Sequence, residues 1–344
     1  MSGEEVVGSA MLRAARGVPE VSRRAWGVGV DWPLAAHWRK PKRVVIAGVG
    51  SSSLGAEIVA TVARVRGAAP IEVWRGGDGP LLDDDTLLIA SSFSGDALET
   101  VEAYELARAA GCMRLAVTGG GALALCAERV GDPLLRYEAE GAPRSALGFV
   151  TLPVLAVLWR MGVVPLDVGD VEGAIADLER RSVEWGADGG TGANFARELA
   201  GRLDGAIPMV VSGGLLAVAA RRWQAQINEN AKQIVLRGTV PEMLHNVVEA
   251  VGHASAPTVH GVVLEAPDAS AGEQEALAAL LAIWDELGVG YDRVALGGGS
   301  ALSAVLQSCY LADWTSLYLA ERRGVDATRT DVIKRIRLRR RRPG

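Results

Sequence analysis

Two short loops carry the chemistry that can be read most directly from this chain. Gly48-Val49-Gly50-Ser51-Ser52-Ser53-Leu54-Gly55 follows an apolar run and opens a helical pattern, and Ser91-Ser92-Phe93-Ser94-Gly95-Asp96 does the same after a later run. Backbone N–H groups at a helix start, reinforced by the helix dipole, bind anions, and seryl hydroxyls add neutral donors. Two such loops on neighbouring strand ends can hold one phosphate without a metal, with Gly50, Ser51, Ser52, Ser92 and Ser94 as candidate donors. Taken singly, each loop is an ordinary helix N-cap, where Ser and Asp are favoured anyway. The first loop lacks the Gly-Lys-Ser/Thr ending of a Walker loop, and Gly48, Gly50 and Gly55 miss the dinucleotide spacing. Trp74-Arg75-Gly76 stands where an acidic ribose ligand would end the second strand, so nucleotide binding is a minor alternative.

Apolar runs at Arg43–Ala47, Ile71–Trp74, Thr86–Ala90 and Arg114–Val117 read as strands, with helices over Leu54–Val65 and from Asp96 to Ala110. Strands alternating with helices at this spacing predict βαβ units and a parallel sheet covered on both faces, with ligands at the carboxyl ends of its strands. The second half has a similar outline: strands at Ile207–Val211, Val262–Glu265 and Arg293–Leu296, a Ser212-Gly213-Gly214 loop, and helices over Leu215–Lys232 and Leu302–Arg322. The expected architecture is α/β, two doubly wound αβα sandwiches. Residues 1–163 form the first domain with a helical lead-in, 164–190 a partly helical connection, and 191–344 the second domain with a closing tail.

Length favours two cores, since single hydrophobic cores stop growing near ~250–300 residues and the chain has 344. Hydrophobic residues at 49% and charged residues at 22% describe a folding chain rather than a disordered one. A net charge of -5 supplies no global field for nucleic acid; the tail Arg337, Arg339, Arg340, Arg341 and Arg342 reads as a solvated end. Cys112, Cys126 and Cys309 show no paired spacing and read as buried free thiols. Met1-Ser2-Gly3-Glu4-Glu5 lacks the apolar core of a secretion signal. The greasy run Phe149–Trp159 is short of the ~20 residues needed to span a bilayer. A cytoplasmic protein with no membrane partner is the expectation.

Two further residue types bear on chemistry. On the helix from Leu215, Trp223, Ile227 and Ala231 form a core stripe, and Glu229 projects roughly opposite, towards solvent or a subunit interface. His245, in the early part of a helix begun by Pro241, lies among Leu244, Val247 and Val248. Histidine exchanges a proton near neutral pH, although a lone one on such a helix is more often structural.

The glycine-serine loop, Ser92-Phe93-Ser94-Gly95 and Pro143-Arg144-Ser145-Ala146-Leu147-Gly148 resemble those of the bifunctional phosphoglucose/phosphomannose isomerases, a family of two sugar-isomerase (SIS) domains. Asn228-Glu229-Asn230-Ala231-Lys232 and Pro241-Glu242-Met243-Leu244-His245-Asn246 strengthen the match and are specific to that family. The resemblance spans most of the chain in the right order. It implies a sugar phosphate as substrate, no cofactor, and a homodimer with a shared active site. It also implies Glu229 as the base that moves a proton between C1 and C2, His245 in ring opening and Arg144 beside the enediolate. Gly324-Val325-Asp326-Ala327-Thr328 resembles the family's closing motif, in which a threonine and a following lysine approach the sugar. Thr328 fits that position; Lys334 is the chemical match for the lysine, while strict spacing points nearer Arg335. His37, His253 and His260 have no histidine or carboxylate partner at metal-ligand spacing, so a zinc-type mannose-phosphate isomerase is not expected.

The chain departs from the family at Ala97, where a threonine is usual, at Asp96 in place of asparagine, and at Val247 in place of glutamate. A carboxylate at position 96 would repel a phosphate unless it caps a helix and points away. Two other readings remain open at this point: a non-catalytic SIS-type sugar-phosphate sensor, and an SIS isomerase of another sugar phosphate.

Overall fold

The computed structural model describes residues 9–138, 141–186, 194–251, 253 and 258–340. Met1-Ser2-Gly3-Glu4-Glu5, the expected domain boundary at 190–191, and Arg341 and Arg342 of the tail lie outside them. In chain order the elements are α1 (Ser9–Arg16), α2 (Val18–Asp31), β1 (Arg43–Ala47), α3 (Ser51–Val65), β2 (Ile71–Trp74), β3 (Thr86–Ser92), α4 (Leu98–Ala109), β4 (Met113–Thr118), α5 (Gly121–Val130), β5 (Leu134–Arg136), α6 (Leu147–Arg160) and α7 (Val168–Trp185). There follow α8 (Phe195–Leu203), β6 (Ile207–Ser212), α9 (Ala217–Gln226), β7 (Leu236–Thr239), α10 (Val247–Val251), β8 (Val259–Glu265), α11 (Ala271–Leu287), β9 (Gly290–Ala295), α12 (Ala301–Arg322) and α13 (Asp331–Arg340).

The chain divides into two compact units, each with one parallel sheet. The five-stranded unit comprises Gly17–Ser182 and Leu296–Gln307, so most of the stretch 164–190 belongs to it, as helix α7. The four-stranded unit comprises Met1–Arg16, Val183–Ala295 and Ser308–Gly344. The helical lead-in is thus divided, α1 with one unit and α2 with the other.

In the five-stranded unit the strand order is β2-β1-β3-β4-β5. Continuous β-branched and aliphatic residues explain why β1 and β3 sit centrally: Val44–Ala47 and all of Thr86–Ser92 are buried. One face packs Val45, Ala47, Leu88, Ala90 and Ala116 against Tyr104, Ala107, Leu123 and Ala127 of α4 and α5. Helix α6 packs with α2 and α3 and is buried along nearly its whole length, which is what the greasy run encodes. Among the described residues no helix is long and apolar enough to cross a membrane.

The four-stranded unit has the order β7-β6-β8-β9. Met209, Val211 and Val263 pack there against Leu277, Leu280 and Trp284 of α11 and against Met243. Right-handed crossovers leading outward in opposite directions, β6 to β7 and β8 to β9, place α9 and α11 on opposite faces. Cys112 and Cys309 are buried free thiols, whereas Cys126 is only partly buried, packed against the edge of the core.

Candidate active site

Strand order decides where the five-stranded unit can receive a ligand. From β1 the chain runs outward to β2, and from β3 it runs the other way to β4, which leaves a crevice above the carboxyl ends of β1 and β3. The two serine loops leave those strand ends, paired through Ala47↔Ala90. Ser51 to Ser53, expected as loop, form the first turn of α3, because Gly50 takes φ 59 and turns the chain directly into the helix.

The loops are joined to each other. The Ser52 hydroxyl oxygen accepts from the Phe93 N–H at 3.2 Å, Ser92 Oγ accepts from Gly95 N–H at 3.1 Å, and Ser94 Oγ accepts from Asp96 N–H at 3.3 Å. A hydroxyl that accepts keeps its own proton to donate, so these bonds orient donors rather than use them up. The buried Ser91 hydroxyl has no partner among the described residues. A third loop, after β4, locks on: Gly119 N–H donates to Phe93 O at 3.2 Å and Leu123 N–H to Gly95 O at 2.9 Å. Gly95 has φ +76, and a Cβ there would lie 1.7 Å from Gly120 O, so only glycine fits. Asp96 does not face an anion as a free charge: its Oδ1 accepts from Ala122 N–H at 3.1 Å, capping α5 instead of its own helix.

Arg144 lies in a 3-10 turn, Pro143–Ser145, just before α6, and is only 6% exposed. Residue spacing did not reveal Tyr137. Its ring stacks on Phe149 at 4.9 Å and lies 6.3 Å from Phe93, and its buried hydroxyl has no partner among the described residues. Burial pushes that phenol well above its ordinary range, keeping it a donor.

Glu229, His245, Thr328 and Lys334 belong to the four-stranded unit. Helix α9 ends at Gln226 and continues as a π turn, Ile227–Ala231, where a plain α-helix was expected. Trp223, Ile227 and Ala231 are fully buried, as their stripe predicts. Glu229 is half-buried and lines a groove of about 660 Å³ with Asn228, Lys232, Val235, Arg329 and Thr330. Lys232 closes the turn at φ 55, its ammonium donating to the carbonyls of Glu229 and, at 2.7 Å, Arg329.

A buried polar chain lies behind this turn, and the motifs gave no sign of it. Arg222 donates to Asp313 twice, at 2.8 and 2.7 Å, Gln226 Nε2 donates to Asp313 Oδ1 at 2.5 Å, and Asn230 Nδ2 reaches Ser316 Oγ at 2.9 Å. Burial opposes the Arg222 charge, but the field and hydrogen bonds of Asp313 outweigh it and hold the guanidinium above its ordinary range. Burial also pushes the Asp313 carboxyl up while Arg222 pulls it back; the two-bond geometry argues for an ionised pair. The available signal was Asp313, the one charged residue between Ala301 and Ala320.

His245 is exposed, at the end of a 3-10 turn, Glu242–His245, rather than inside a longer α-helix. Asn246, at φ -152 and ψ -77, breaks the chain between this turn and α10. Buried Met243 pins the turn to the core. Thr328 is exposed and gives its hydroxyl to Asp326 Oδ1 at 2.6 Å; Lys334 is exposed on α13. None of His245, Thr328 and Lys334 lines the groove at Glu229. His260, without a carboxylate partner by sequence spacing, bonds Asp292 at 2.7 Å across β8 and β9. Among the described residues no three His, Cys, Asp or Glu side chains converge as a metal site.

The four-stranded sheet has its own crevice at β6 and β8, and it is filled. The Glu273 side chain from α11 lies against Gly213 and Gly214, so close that a Cβ on Gly213 would sit 2.5 Å from Glu273 Oε1. That oxygen is buried without a partner among the described residues, and burial raises the carboxyl above its ordinary value.

Comparisons with known proteins agree with this architecture. A crystal structure of a hypothetical protein from Thermus thermophilus superposes with a TM-score of 0.72 at 16% identity, covering 99% of this chain and 92% of that one, which is a likeness of fold. The model of the bacterial phospho-glucose isomerase C-terminal SIS domain matches residues 193–339. A bifunctional phosphoglucose/phosphomannose isomerase of Caldicellulosiruptor bescii is 29% identical over 94% of this chain and 98% of its own length. One from Aquifex aeolicus is 32% identical over 75% of this chain and 77% of its own. With two parallel SIS-type sheets, the serine loops at the first crevice and relatives at this level across their length, the chain belongs to the bifunctional phosphoglucose/phosphomannose isomerase family.

Proposed function

We propose that this enzyme interconverts glucose 6-phosphate, and mannose 6-phosphate, with fructose 6-phosphate through an enediol. The observation that carries the reading is the bond from Phe93 N–H to Ser52 Oγ, which fastens two serine loops into one anion-binding surface at the crevice above β1 and β3. Gly50, Ser51, Ser52, Ser92 and Ser94 hold the phosphate there. At the reacting end, Glu229 removes the C2 proton of the open-chain aldose and returns it to C1, and in the intervening enediolate the hydroxyl proton passes from O2 to O1, so that the carbonyl moves from C1 to C2. His245 moves the proton that opens the ring. Arg144 stands against the enediolate charge, a role worth on the order of ~3 kcal/mol in a site shielded from water. Thr328 and Lys334 contact the sugar.

The working species in this reading is a cytoplasmic homodimer whose copies share each active site. No redox group has a part in the chemistry, because hydrogen moves as a proton and both electrons stay on the sugar.

A coupled assay with each hexose phosphate, run with a chelator, tests the reading. Turnover of at least one is expected, and Glu229→Gln is expected to lower kcat by ~10²–10⁴-fold with the melting temperature unchanged. Ligand-induced thermal stabilisation without turnover of any sugar phosphate would favour a sensor instead. Light scattering that finds only monomer at working concentration would rule out the shared site.

A further inference from the structure

We infer that Gln226 and Asn230, anchored by the buried Arg222–Asp313 pair, are positioning residues that fix the turn from which Glu229 projects; this rests on the reading of Glu229 as the base. A π turn is less well packed than an α turn and is found mostly as a single turn where function requires it. Here it spans Ile227–Ala231, and side chains grip it on both sides of Glu229. Gln226, just before the turn, donates to Asp313 Oδ1 at 2.5 Å. Asn230, just after Glu229, bonds Gln226 Oε1 at 3.4 Å and Ser316 Oγ at 2.9 Å. Ser316 in turn donates to the Asp313 carbonyl at 2.8 Å. The far end of the chain of bonds is the doubly bonded Arg222, and all five residues are buried.

An ion pair as deeply buried as Arg222–Asp313 is a poor device for stability alone, since well-packed apolar residues of similar volume do as well or better. What it does supply is direction. Asp313 presents its carboxylate to Gln226 in one orientation because Arg222 holds both of its oxygens, and Gln226 then presents its carbonyl to Asn230. The backbone of residues 226–231 is thereby tied to α12, and the Glu229 carboxylate leaves it towards the groove. Misplacing a reacting group by about 1 Å costs up to ~10²-fold in rate.

The test uses the full-length chain with glucose 6-phosphate and its C2-deuterated form, comparing wild type, Gln226→Met and Glu229→Gln. Gln226→Met keeps the volume and the Arg222–Asp313 pair but cuts the link to Asn230. It is expected to lower kcat by ~10–100-fold, to leave KM within about twofold, and to enlarge the deuterium isotope effect because proton transfer becomes slower. A purely structural role would lower the active fraction without changing the isotope effect. If Gln226→Met does not fold, Asn230→Ser, which leaves Arg222, Asp313 and Gln226 untouched, carries the same expectations. Wild-type kcat and isotope effect in a folded variant, with Glu229→Gln inactive, would overturn the positioning role alone. Full turnover in Glu229→Gln would overturn the base assignment and this inference with it.

Discussion

The two sheets share a strand order around their crevices yet furnish them in opposite ways. Above β1 and β3, three loops are laced by backbone bonds, and seryl hydroxyls accept from the loop amides while keeping protons to donate. Above β6 and β8 a single side chain, Glu273, lies on Gly213 and Gly214 with one oxygen lacking a partner among the described residues. In the proposed reading the first crevice receives an anion from outside; the second is already occupied by an acidic side chain of the chain itself. A duplicated topology therefore does not duplicate a site, because the loops rather than the sheet decide what the crevice accepts.

The largest effect expected from breaking this contrast is Gly95→Ala. Its Cβ would meet Gly120 backbone that has nowhere to move, so a loss of about 3 kcal/mol or more in denaturant unfolding, together with loss of sugar-phosphate binding, is expected. Ser52→Ala removes the acceptor for Phe93 N–H and should raise KM about tenfold with a stability loss of ~1 kcal/mol, measured by initial rates and chemical denaturation. Gly213→Ala, at a position with φ -121, first meets the Glu273 side chain rather than backbone. It is expected to cost under ~1 kcal/mol, and a cost matching Gly95→Ala would erase the contrast.

The smallest effect concerns Glu273 itself. Because burial raises its carboxyl in the folded state, the native protein binds that proton more tightly than the unfolded chain does. Stability from this group is fully present below the ordinary glutamate value and is lost as pH rises from there through the raised value of the folded state. Glu273→Gln should therefore raise Tm by about 1–3 °C at pH 7 and by less at pH 4. An equal gain at both values would show that charge is not the cause.

Much of the five-stranded unit was legible because its information is local. Apolar runs gave β1, β3 and β4, and the switch into Gly50–Ser53 marked the turn to α3, displaced only in that the serines belong to the helix itself. Asp96 was legible as a departure but not in its outcome, since its partner Ala122 lies beyond an intervening strand and helix. The site around Glu229 was harder. Helical periodicity located the carboxylate on the exposed side of its stripe but assumed 3.6 residues per turn through a segment that widens to a π turn. The residues supporting that turn, Asp313 and Ser316, are far away in sequence and lie on a helix whose composition reads as plain core. His245 was assigned to a helix because Pro241 is a good helix start, but Asn246 ends the turn at once.

Lys232 gives the carboxyl-terminal segment a role that its exposure conceals. One ammonium group clasps the carbonyl of Glu229 and that of Arg329, so the final stretch of chain is knotted to the turn that bears the proposed base. Trimming the protein before Arg329, as a protease or a cautious cloning boundary would, removes no core residue from α9. It would nonetheless unfasten one end of that turn as well as remove Lys334, and the injury would register as sluggish turnover in an otherwise sound protein.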